Sequence, residues 1–252
     1  MFKEILIRMI QGKRTFKYPK GPAPVLPGKF KGRPYIDSAL CDVNCNSCSD
    51  ACPVDAINSQ TKTIDLGNCL FCNDCTDACH SKAIVFTKDY RLSVRDRNDL
   101  IIHPEQKEIE LAKELNQQMK RIFGRSLTLR QVSAGGCGAC EADVNVLGTI
   151  GWDLGRFGIK FAASPRHADG LLVTGPVTKN MELALKKTYD AIPEPKIVIV
   201  VGACAISGGL YKDHPQANKG VESIIPVDLF IPGCPPNPLT ILDGLLRLLG
   251  RV

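Results

Sequence analysis

Long apolar runs are absent from this 252-residue chain. No stretch reaches the roughly 18 apolar residues that a membrane-spanning helix requires, so we expect no segment that crosses a bilayer. The N-terminus contains the basic segment KRTFK, but the YPKGPAPVLPG that follows it has no apolar core of the kind that an export signal needs. We therefore expect a cytoplasmic chain, whose thiols are kept reduced.

A phosphate-binding loop is also absent. The segment GACAISGG is rich in glycine, but it lacks the Lys-Ser/Thr ending that a P-loop requires. The apolar fraction of 44% is that of an ordinary globular protein and excludes a mainly disordered chain.

Positive charge is concentrated at the N-terminus. Residues 1–36 hold six lysines and three arginines against one glutamate, whereas the other 216 residues sum to −2. Iron–sulfur clusters with thiolate ligands would make the chain less basic still, so the overall charge does not indicate nucleic-acid binding. We expect this basic arm to meet an acidic partner or a lipid surface.

Four stretches follow one another along the chain. Residues 1–36 are predicted to form an amphipathic helix, FKEILIRMI, and an extended basic arm; the alternative for the helix is packing on its own domain. Residues 37–98 hold an internal repeat of cysteine loops. A connector helix is expected over 99–125, with Pro104 in its first turn and a stripe of apolar residues. Residues 126–252 make up the last domain.

The last domain shows the pattern of a parallel α/β sheet. Short apolar runs, LTLRQV, GLLVTG, KIVIVVG and VDLFIPG, alternate with stretches compatible with helices, such as 178–191. Cys137 and Cys140 follow the first run, Cys204 ends the third and Cys234 ends the fourth. Because open α/β sheets present their ligand crevice at the carboxyl ends of the strands, these cysteines are expected to converge. From spacing alone, the choice is between a metal site and buried structural cysteines.

The repeat carries the other eight cysteines, in CDVNCNSCSDACP and CLFCNDCTDACH. The second loop has the C-x2-C-x2-C-x3-C spacing of bacterial ferredoxins, in which the fourth cysteine serves the other cluster. Carried over position by position, this pattern assigns one 4Fe–4S cluster to Cys41, Cys45, Cys48 and Cys79. It assigns a second to Cys69, Cys72, Cys75 and Cys52. Structural zinc is the alternative, although zinc sites usually separate two C-x2-C pairs by a longer gap.

The first loop departs from the ferredoxin pattern by one extra residue between Cys41 and Cys45, and His80 replaces the proline expected after Cys79. The longer loop affects the geometry and the potential expected for the first cluster. His80 is expected to lie near a sulfur or to face solvent, without acting as a ligand.

Several motifs of the last domain resemble a known family. GGCGACEAD, SPRHADGLLVTGPVTKNM, PEPKIVIVVGACAISGGLY and IIPVDLFIPGCPPNPLTILDGL are similar to the small electron-transfer subunit shared by membrane-bound NiFe hydrogenases and respiratory complex I. Residues 1–100, with GKRTFKYP and LGNCLFCNDC, resemble the two-cluster ferredoxin subunit of the same assemblies. The chain therefore resembles a fusion of two neighbouring subunits.

This resemblance implies a flavodoxin-like α/β domain preceded by a bacterial-ferredoxin-like α+β domain. It implies a third 4Fe–4S cluster, bound by Cys137, Cys140, Cys204 and Cys234, beside the active site of a large subunit. The C-x2-C spacing and SPRHAD favour the hydrogenase branch, because complex I has adjacent cysteines and typically a Gln at the position of His167. The implied partners are a NiFe large subunit, membrane-arm subunits and a further iron–sulfur donor or acceptor, at the cytoplasmic face of the membrane.

Other residues and functions stay open at this point. Glu141 is a candidate for proton relay or partner contact, against a surface carboxylate; Arg166 and His167 are candidates for the interface or for tuning a cluster, against an ordinary salt bridge or cap. Residues 174–178 are expected to supply backbone to the crevice. The rival functions are quinone-linked or other nickel-free electron transfer, a free-standing redox carrier or sensor, and a zinc-structured interaction protein.

Overall fold

A computed structural model describes residues 2–42, 44–106, 108–124 and 126–252. Position 43 of the predicted first cysteine loop and positions 107 and 125 of the predicted connector lie outside the described residues. The helices are α1 (Phe2–Gln11), α2 (Ser47–Asp50), α3 (Asp74–Ala78), α4 (Gln117–Phe123), α5 (Ala139–Val146), α6 (Lys179–Asp190), α7 (Ala203–Ser207) and α8 (Pro238–Leu248). The strands are β1 (Pro34–Ile36), β2 (Ile57–Asn58), β3 (Thr63–Asp65), β4 (Ile84–Phe86), β5 (Ile101–Ile102), β6 (Leu127–Ser133), β7 (Ile159–Phe161), β8 (Gly170–Thr174), β9 (Ile197–Val201) and β10 (Leu229–Ile231).

The C-terminal half is built on a sheet of five parallel strands in the order β10-β9-β8-β6-β7. When these five strands are numbered in chain order, their order across the sheet is 2-1-3-4-5, as in flavodoxin-like folds. The direction in which successive strands are added reverses between β6 and β8. The predicted parallel α/β sheet is confirmed. The short edge strand β7 lies outside the four apolar runs from which the sheet was predicted.

Both faces of this sheet are buried, as its continuous apolar runs require. On one face, β-strand residues such as Leu172, Ile199 and Leu229 pack with α8 and the start of β6. On the other, Val173, Val200 and Phe230 belong to a core that also includes residues of the N-terminal cysteine region. The cysteine repeat and the sheet therefore share one continuous apolar cluster.

The cysteine region consists of short antiparallel pairings. Strand β1 pairs with β4, and a three-stranded sheet has the order β2-β3-β5. Helices α2 and α3, one from each cysteine loop, pack against each other. The region is tied to the large sheet by an isolated bridge between Val94 and Phe230, whose backbones exchange two hydrogen bonds of 3.1 and 2.9 Å.

The predicted connector helix is wrong over most of its length. Among the described residues of 99–125, only α4 is an α-helix; residues 97–100 form a 3-10 turn and β5 pairs with β3. The apolar stripe is buried at Ile109 and Leu115, but the backbone N–H groups of Ala112 and Leu115 donate to Ser93 and Leu248 at 2.8 and 3.0 Å. Since tertiary partners satisfy these groups, the segment has no need of helical hydrogen bonds. Helix α4 starts where Asn116 caps it.

Helix α1 forms where its amphipathic pattern predicted it, and none of its residues is buried. Its apolar side chains are open to solvent, with Phe2 88%, Met9 76% and Ile10 77% exposed. The alternative in which this face packs on its own domain is therefore wrong. In the described part of the chain, every helix is too short or too polar to span a bilayer.

Candidate functional site

The first group of thiols lines one partly enclosed cavity. Cys41, Cys45 and Cys48 come from the first loop and Cys79 comes from the end of the second, beside α3. Burial raises the pKa of the Cys48 thiol, and negative charge on Cys41 or Cys79 would raise it further. His80 lines the same cavity. The structure thus brings together the four residues that the ferredoxin pattern assigns to one cluster.

The second group gathers Cys69, Cys72 and Cys75 around Cys52 of the first loop. The pKa of Cys69 and of Cys75 is raised to about 12, mainly by burial and in addition by charge on neighbouring cysteines, Cys52 included. Thiols in such surroundings stay protonated unless a cation compensates the charge of the thiolate. Iron bound by these four thiolates would supply that compensation.

Backbone N–H groups point at several of these sulfurs. Ala56 donates to Cys52 Sγ and Ala83 donates to Cys79 Sγ, both at 3.2 Å and both four residues along the chain. Phe71 donates to Cys69 Sγ at 3.3 Å. N–H donors to sulfur stabilise thiolates and tune the potential of iron–sulfur clusters, so this set of donors fits such a cofactor.

Cys79 shows the effect of these donors most clearly. Its partial burial raises the pKa of the thiol, but the Ser81 hydroxyl and the backbone N–H of Ala83 outweigh that effect and lower the pKa below its ordinary value. The equivalent positions in the two loops, Asp55 and Lys82, adopt left-handed conformations with φ of 49° and 54°. These turns carry the backbone round so that the next N–H faces the sulfur.

The third group assembles at the carboxyl ends of three parallel strands. Cys137 and Cys140 follow β6, Cys204 follows β9 and Cys234 follows β10. Burial, and after it charge on other cysteines of the group, raises the pKa of Cys140 and raises that of Cys204 to about 11. Cys137 and Cys234 are exposed. The predicted convergence of these four thiols is found in the structure.

Two glycines allow the backbone to approach this group closely. Gly202, between β9 and α7, has φ +94°, and a Cβ there would lie 2.5 Å from Cys140 Sγ. Gly175, after β8, has φ +83°, and its Cβ would lie 2.6 Å from the nitrogen of Gly136. Both positions combine a left-handed conformation with contact distances that only glycine tolerates.

Glu141 follows Cys140 in α5 and is half-buried, so the surface-carboxylate alternative does not describe it. Its Oε1 accepts hydrogen bonds from Ser133 Oγ and Thr174 Oγ1, both at 2.6 Å, at the ends of β6 and β8. Burial acts to raise the pKa of Glu141, but these two hydroxyl donors outweigh it and lower the pKa. Ser133 was not among the predicted site residues; its place at the last position of the strand before the C-x2-C turn was the available signal.

Arg166 and His167 are not brought to the thiols. They lie in an exposed 3-10 turn that leads into the amino-terminal end of β8, whereas the cysteines gather at the carboxyl ends of the strands. The interpretation in which they tune a cluster is therefore not supported, and a role at an interface stays a prediction.

The three groups follow one another through the molecule. Charge on Cys48 of the first group raises the pKa of Cys75 in the second, and charge on Cys72 of the second raises the pKa of Cys234 in the third. Phe71 and Cys234 line one cavity between the second and third groups. Within the described ranges, no three or more His, Cys, Asp or Glu side chains are arranged to hold a single metal ion.

Comparison with known proteins identifies the C-terminal half. The family model for the NADH ubiquinone oxidoreductase 20 kDa subunit matches residues 137–248. A probable membrane-bound hydrogenase subunit mbhJ of Pyrococcus furiosus is 43% identical over 135 residues, which cover 54% of this chain and 81% of that protein. The chain belongs to this 20 kDa subunit family. It is accordingly an electron-transfer subunit of a complex I-like oxidoreductase, in a family that binds iron–sulfur clusters.

Other relatives of the 20 kDa subunit family match to a similar extent. An NADH-quinone oxidoreductase subunit of Desulfovibrio desulfuricans is 43% identical over 126 residues, 50% of this chain and 68% of that protein. Among solved structures, a chain of the membrane-bound sulfane sulfur reductase, an archaeal respiratory membrane complex, is 35% identical with a TM-score of 0.48. That likeness covers 54% of this chain and 75% of the other. These relatives each match about half of the present chain.

Proposed function

We propose that this chain is the iron–sulfur subunit of a membrane-bound NiFe hydrogenase and relays electrons to or from a nickel-bearing partner. The observation that carries the proposal is the arrangement of twelve cysteines in three successive groups of four. The similarity to a probable membrane-bound hydrogenase subunit supports the hydrogenase assignment, as does the C-x2-C spacing of Cys137 and Cys140.

Each group of four cysteines would hold one 4Fe–4S cluster, and the first two would belong to a ferredoxin-like domain at residues 37–98. When bound, such clusters supply reversible storage of single electrons. The protein's own contribution is to supply thiolates, to donate N–H groups to their sulfurs and to exclude water from Cys69 and Cys75. The domain boundaries at 36, 98 and 125 remain part of this proposal.

The large subunit of the hydrogenase would dock over the third group. Cys137 and Cys234 are exposed, in contrast to Cys69 and Cys75 of the middle group. Exposed thiols at the end of a row mark the surface at which electrons leave or enter the chain. With all twelve cysteines assigned to clusters, the chain has no cysteine left for nickel, so hydrogen chemistry would occur on that partner.

A nickel-free, complex I-like oxidoreductase is the second candidate. It is favoured by the NADH-quinone oxidoreductase relative from Desulfovibrio desulfuricans, which is as similar to this chain as the hydrogenase relative is. The sequence of the partner subunit separates the two functions. Paired C-x2-C motifs near both ends of the partner support a NiFe centre, and their absence supports another electron acceptor.

The cluster scheme is tested by metal analysis of anaerobically purified protein. We expect about twelve irons per chain, from three four-iron clusters. Four or fewer irons with stoichiometric zinc would refute the scheme.

Replacement of Cys204 by Ala in the assembled complex is expected to abolish hydrogen turnover and to leave the spectrum of the first two clusters in place. Turnover at the original rate would remove Cys204 from the ligand set.

Attachment to the cytoplasmic face of the membrane would use α1. Its exposed apolar side chains, Leu6, Met9 and Ile10 among them, are followed by the basic residues of the arm, a combination suited to the surface of an anionic bilayer. Deletion of residues 2–12 is expected to weaken membrane association of the complex at physiological salt. Complete retention in the membrane fraction would exclude this role. Recovery of the intact chain as a monomer without membrane subunits would favour a free-standing carrier.

A further inference from the structure

One short segment of the C-terminal domain contacts both flanks of the second cysteine group. The segment begins at Cys204, a member of the third group, and includes Ser207 at the end of α7 and Lys212 in the turn that follows. The side chains of Ser207 and Lys212 make three hydrogen bonds to residues two or three positions from Cys69 and Cys52, which come from different loops of the repeat.

Ser207 contacts the approach to Cys69. Its Oγ donates to the carbonyl oxygen of Gly67 at 2.9 Å. Gly67 lies two residues before Cys69, and its own N–H donates to Asp65 Oδ1 at 2.8 Å. Asp65 is held in turn by two hydrogen bonds from Arg97, at 2.8 and 2.6 Å. The backbone that Ser207 contacts is therefore fixed from both sides.

Lys212 contacts the turn that follows Cys52. Its Nζ donates to the carbonyl oxygen of Val54 and to Asp55 Oδ2, each at 2.8 Å. The next residue, Ala56, donates its N–H to Cys52 Sγ. The side chain of Lys212 is only 22% exposed, whereas that of Asp55 is 82% exposed. The contact with the buried Val54 backbone is thus the better-shielded of the two.

The segment that carries these side chains is itself tightly folded. Gly208 and Gly209 adopt φ of +91° and +54°, and a Cβ on Gly209 would lie 2.9 Å from Cys204 Sγ. The N–H of Gly208 donates to the carbonyl of Cys204 at 2.9 Å. A displacement of Ser207 or Lys212 relative to Cys204 would have to distort this turn.

We propose that Ser207 and Lys212 are positioning residues that hold the second cysteine group at a fixed separation from the third. They would thereby control electron exchange between the clusters of these groups. The inference rests on the proposed function, because it assumes that both groups hold clusters. The two halves of the chain have further contacts, including the Val94–Phe230 bridge, so loss of the two side chains is expected to leave the fold in place.

The test uses the full-length, iron-loaded chain, with electron paramagnetic resonance of the reduced protein as the readout. Two reduced clusters held at a fixed distance split or broaden each other's signals through their magnetic interaction. In a chain with both Ser207→Ala and Lys212→Met, we expect this interaction to weaken between the second and third clusters, while iron content stays at about twelve per chain. Lys212→Arg in the wild-type background should retain the interaction, because it keeps the donor and the charge.

Lys160→Met is the matched control. Lys160 is exposed on the edge strand β7, whereas Cys204 follows β9 on the other side of the sheet. The spectrum of the Lys160→Met variant should therefore equal that of the wild type. An unchanged magnetic interaction in the double variant at full iron content would overturn the positioning role and leave the proposed function intact. A wild-type chain with four or fewer irons and stoichiometric zinc would instead refute the proposed function. If the double variant loses iron, Ser207→Ala and Lys212→Met are measured separately, and unchanged spectra for both single variants overturn the inference.

Discussion

The cysteine repeat and the parallel sheet collect their thiols in different ways. In the repeat, eight cysteines lie in two loops whose last three cysteines are each offset by 27 residues, and each loop gives its fourth cysteine to the other group. In the sheet, four cysteines spread between Cys137 and Cys234 meet because three strands end at one edge. Local spacing organises the first region, and the path of the chain organises the second.

This difference has consequences for what each region tolerates. The loops of the repeat bring their own N–H donors to the sulfurs, through Ala56 and Ala83. The thiols of the sheet depend instead on close backbone approach at Gly202 and on core packing beneath the strands. Substitutions in the repeat should therefore act on individual clusters, whereas substitutions beneath the sheet should act on stability and on the third site together.

The largest expected effect tests the exchange of cysteines between loops. We expect Cys52→Ala to remove the cluster held by Cys69, Cys72 and Cys75, so that iron falls from about twelve to about eight per chain. The remaining signals should no longer include the one that interacts with the third cluster. Cys79→Ala is the matched variant and should remove the other cluster of the repeat. Loss of the first cluster in Cys52→Ala would show that the loops do not exchange their fourth cysteines.

A second comparison concerns the charged networks that lie in the two regions. Asp243 is fully buried in α8 and accepts from Tyr18 Oη at 2.6 Å and from Arg247 Nε at 2.7 Å. Asp243→Ala leaves the guanidinium of Arg247 without its carboxylate partner. It should lower the free energy of unfolding by about 3–5 kcal/mol. Asp65, which pairs with Arg97, is more accessible. Its replacement by Ala should lower the free energy of unfolding by about 1–3 kcal/mol.

Anaerobic denaturant unfolding of the loaded chain measures both losses. Asp190→Ala, at the exposed end of α6, serves as the control and should stay within about 0.5 kcal/mol of the wild type. Equal losses for Asp243→Ala and Asp65→Ala would contradict the stronger dependence of the sheet region on buried long-range contacts.

A third comparison uses the left-handed positions beside the thiols. Gly202→Ala places a Cβ against Cys140 Sγ in a strained conformation, with an expected cost of about 1–3 kcal/mol and partial loss of iron from the third site. Lys82 in the repeat already adopts a left-handed conformation with a full side chain. Lys82→Gly is therefore expected to change stability by no more than about 1 kcal/mol. Iron analysis and denaturant unfolding report both outcomes; full iron retention in Gly202→Ala would count against the close contact.

The smallest expected effect concerns hydroxyl groups near the cysteines. Ser133→Ala removes one of the two hydroxyl donors to Glu141 and should cost about 1 kcal/mol, since Thr174 still donates. The Oγ of Ser81 lies 3.6 Å from Cys79 Sγ. Replacement of Ser81 by Ala should lower the free energy of unfolding by less than about 0.5 kcal/mol. The two variants are compared by denaturant unfolding. A larger loss for Ser81→Ala would reverse the expected order of the regions.

Much of the site could be predicted because the relevant information was local. The spacing of the two loops predicted which thiols would meet, and apolar runs before glycines and cysteines predicted where parallel strands would end. The connector at residues 99–125 was wrongly predicted to be a helix, because the deciding contacts are not local. Its apolar stripe suits a helix, but Ser93 and Leu248 accept its backbone hydrogen bonds, and neither partner is signalled by the segment itself. Lys212 was missed because its partner Val54 lies 158 positions away. Ser133 was missed although its partner Glu141 is only eight residues along the chain, since a serine at a strand end has no distinctive pattern of its own.

The amino-acid sequence by itself determined the number of thiols, their grouping in the repeat and the parallel sheet, because spacing and apolar periodicity act over a few residues. Only the tertiary structure decided that the groups form a row, that Ser207 and Lys212 contact the backbone on either side of the second group, and that α1 keeps an exposed apolar face. The first two of these features depend on contacts between residues more than 100 positions apart, such as Ser207 with Gly67 and Lys212 with Val54. Contacts of that kind are set by the path of the folded chain and leave no local pattern in the sequence.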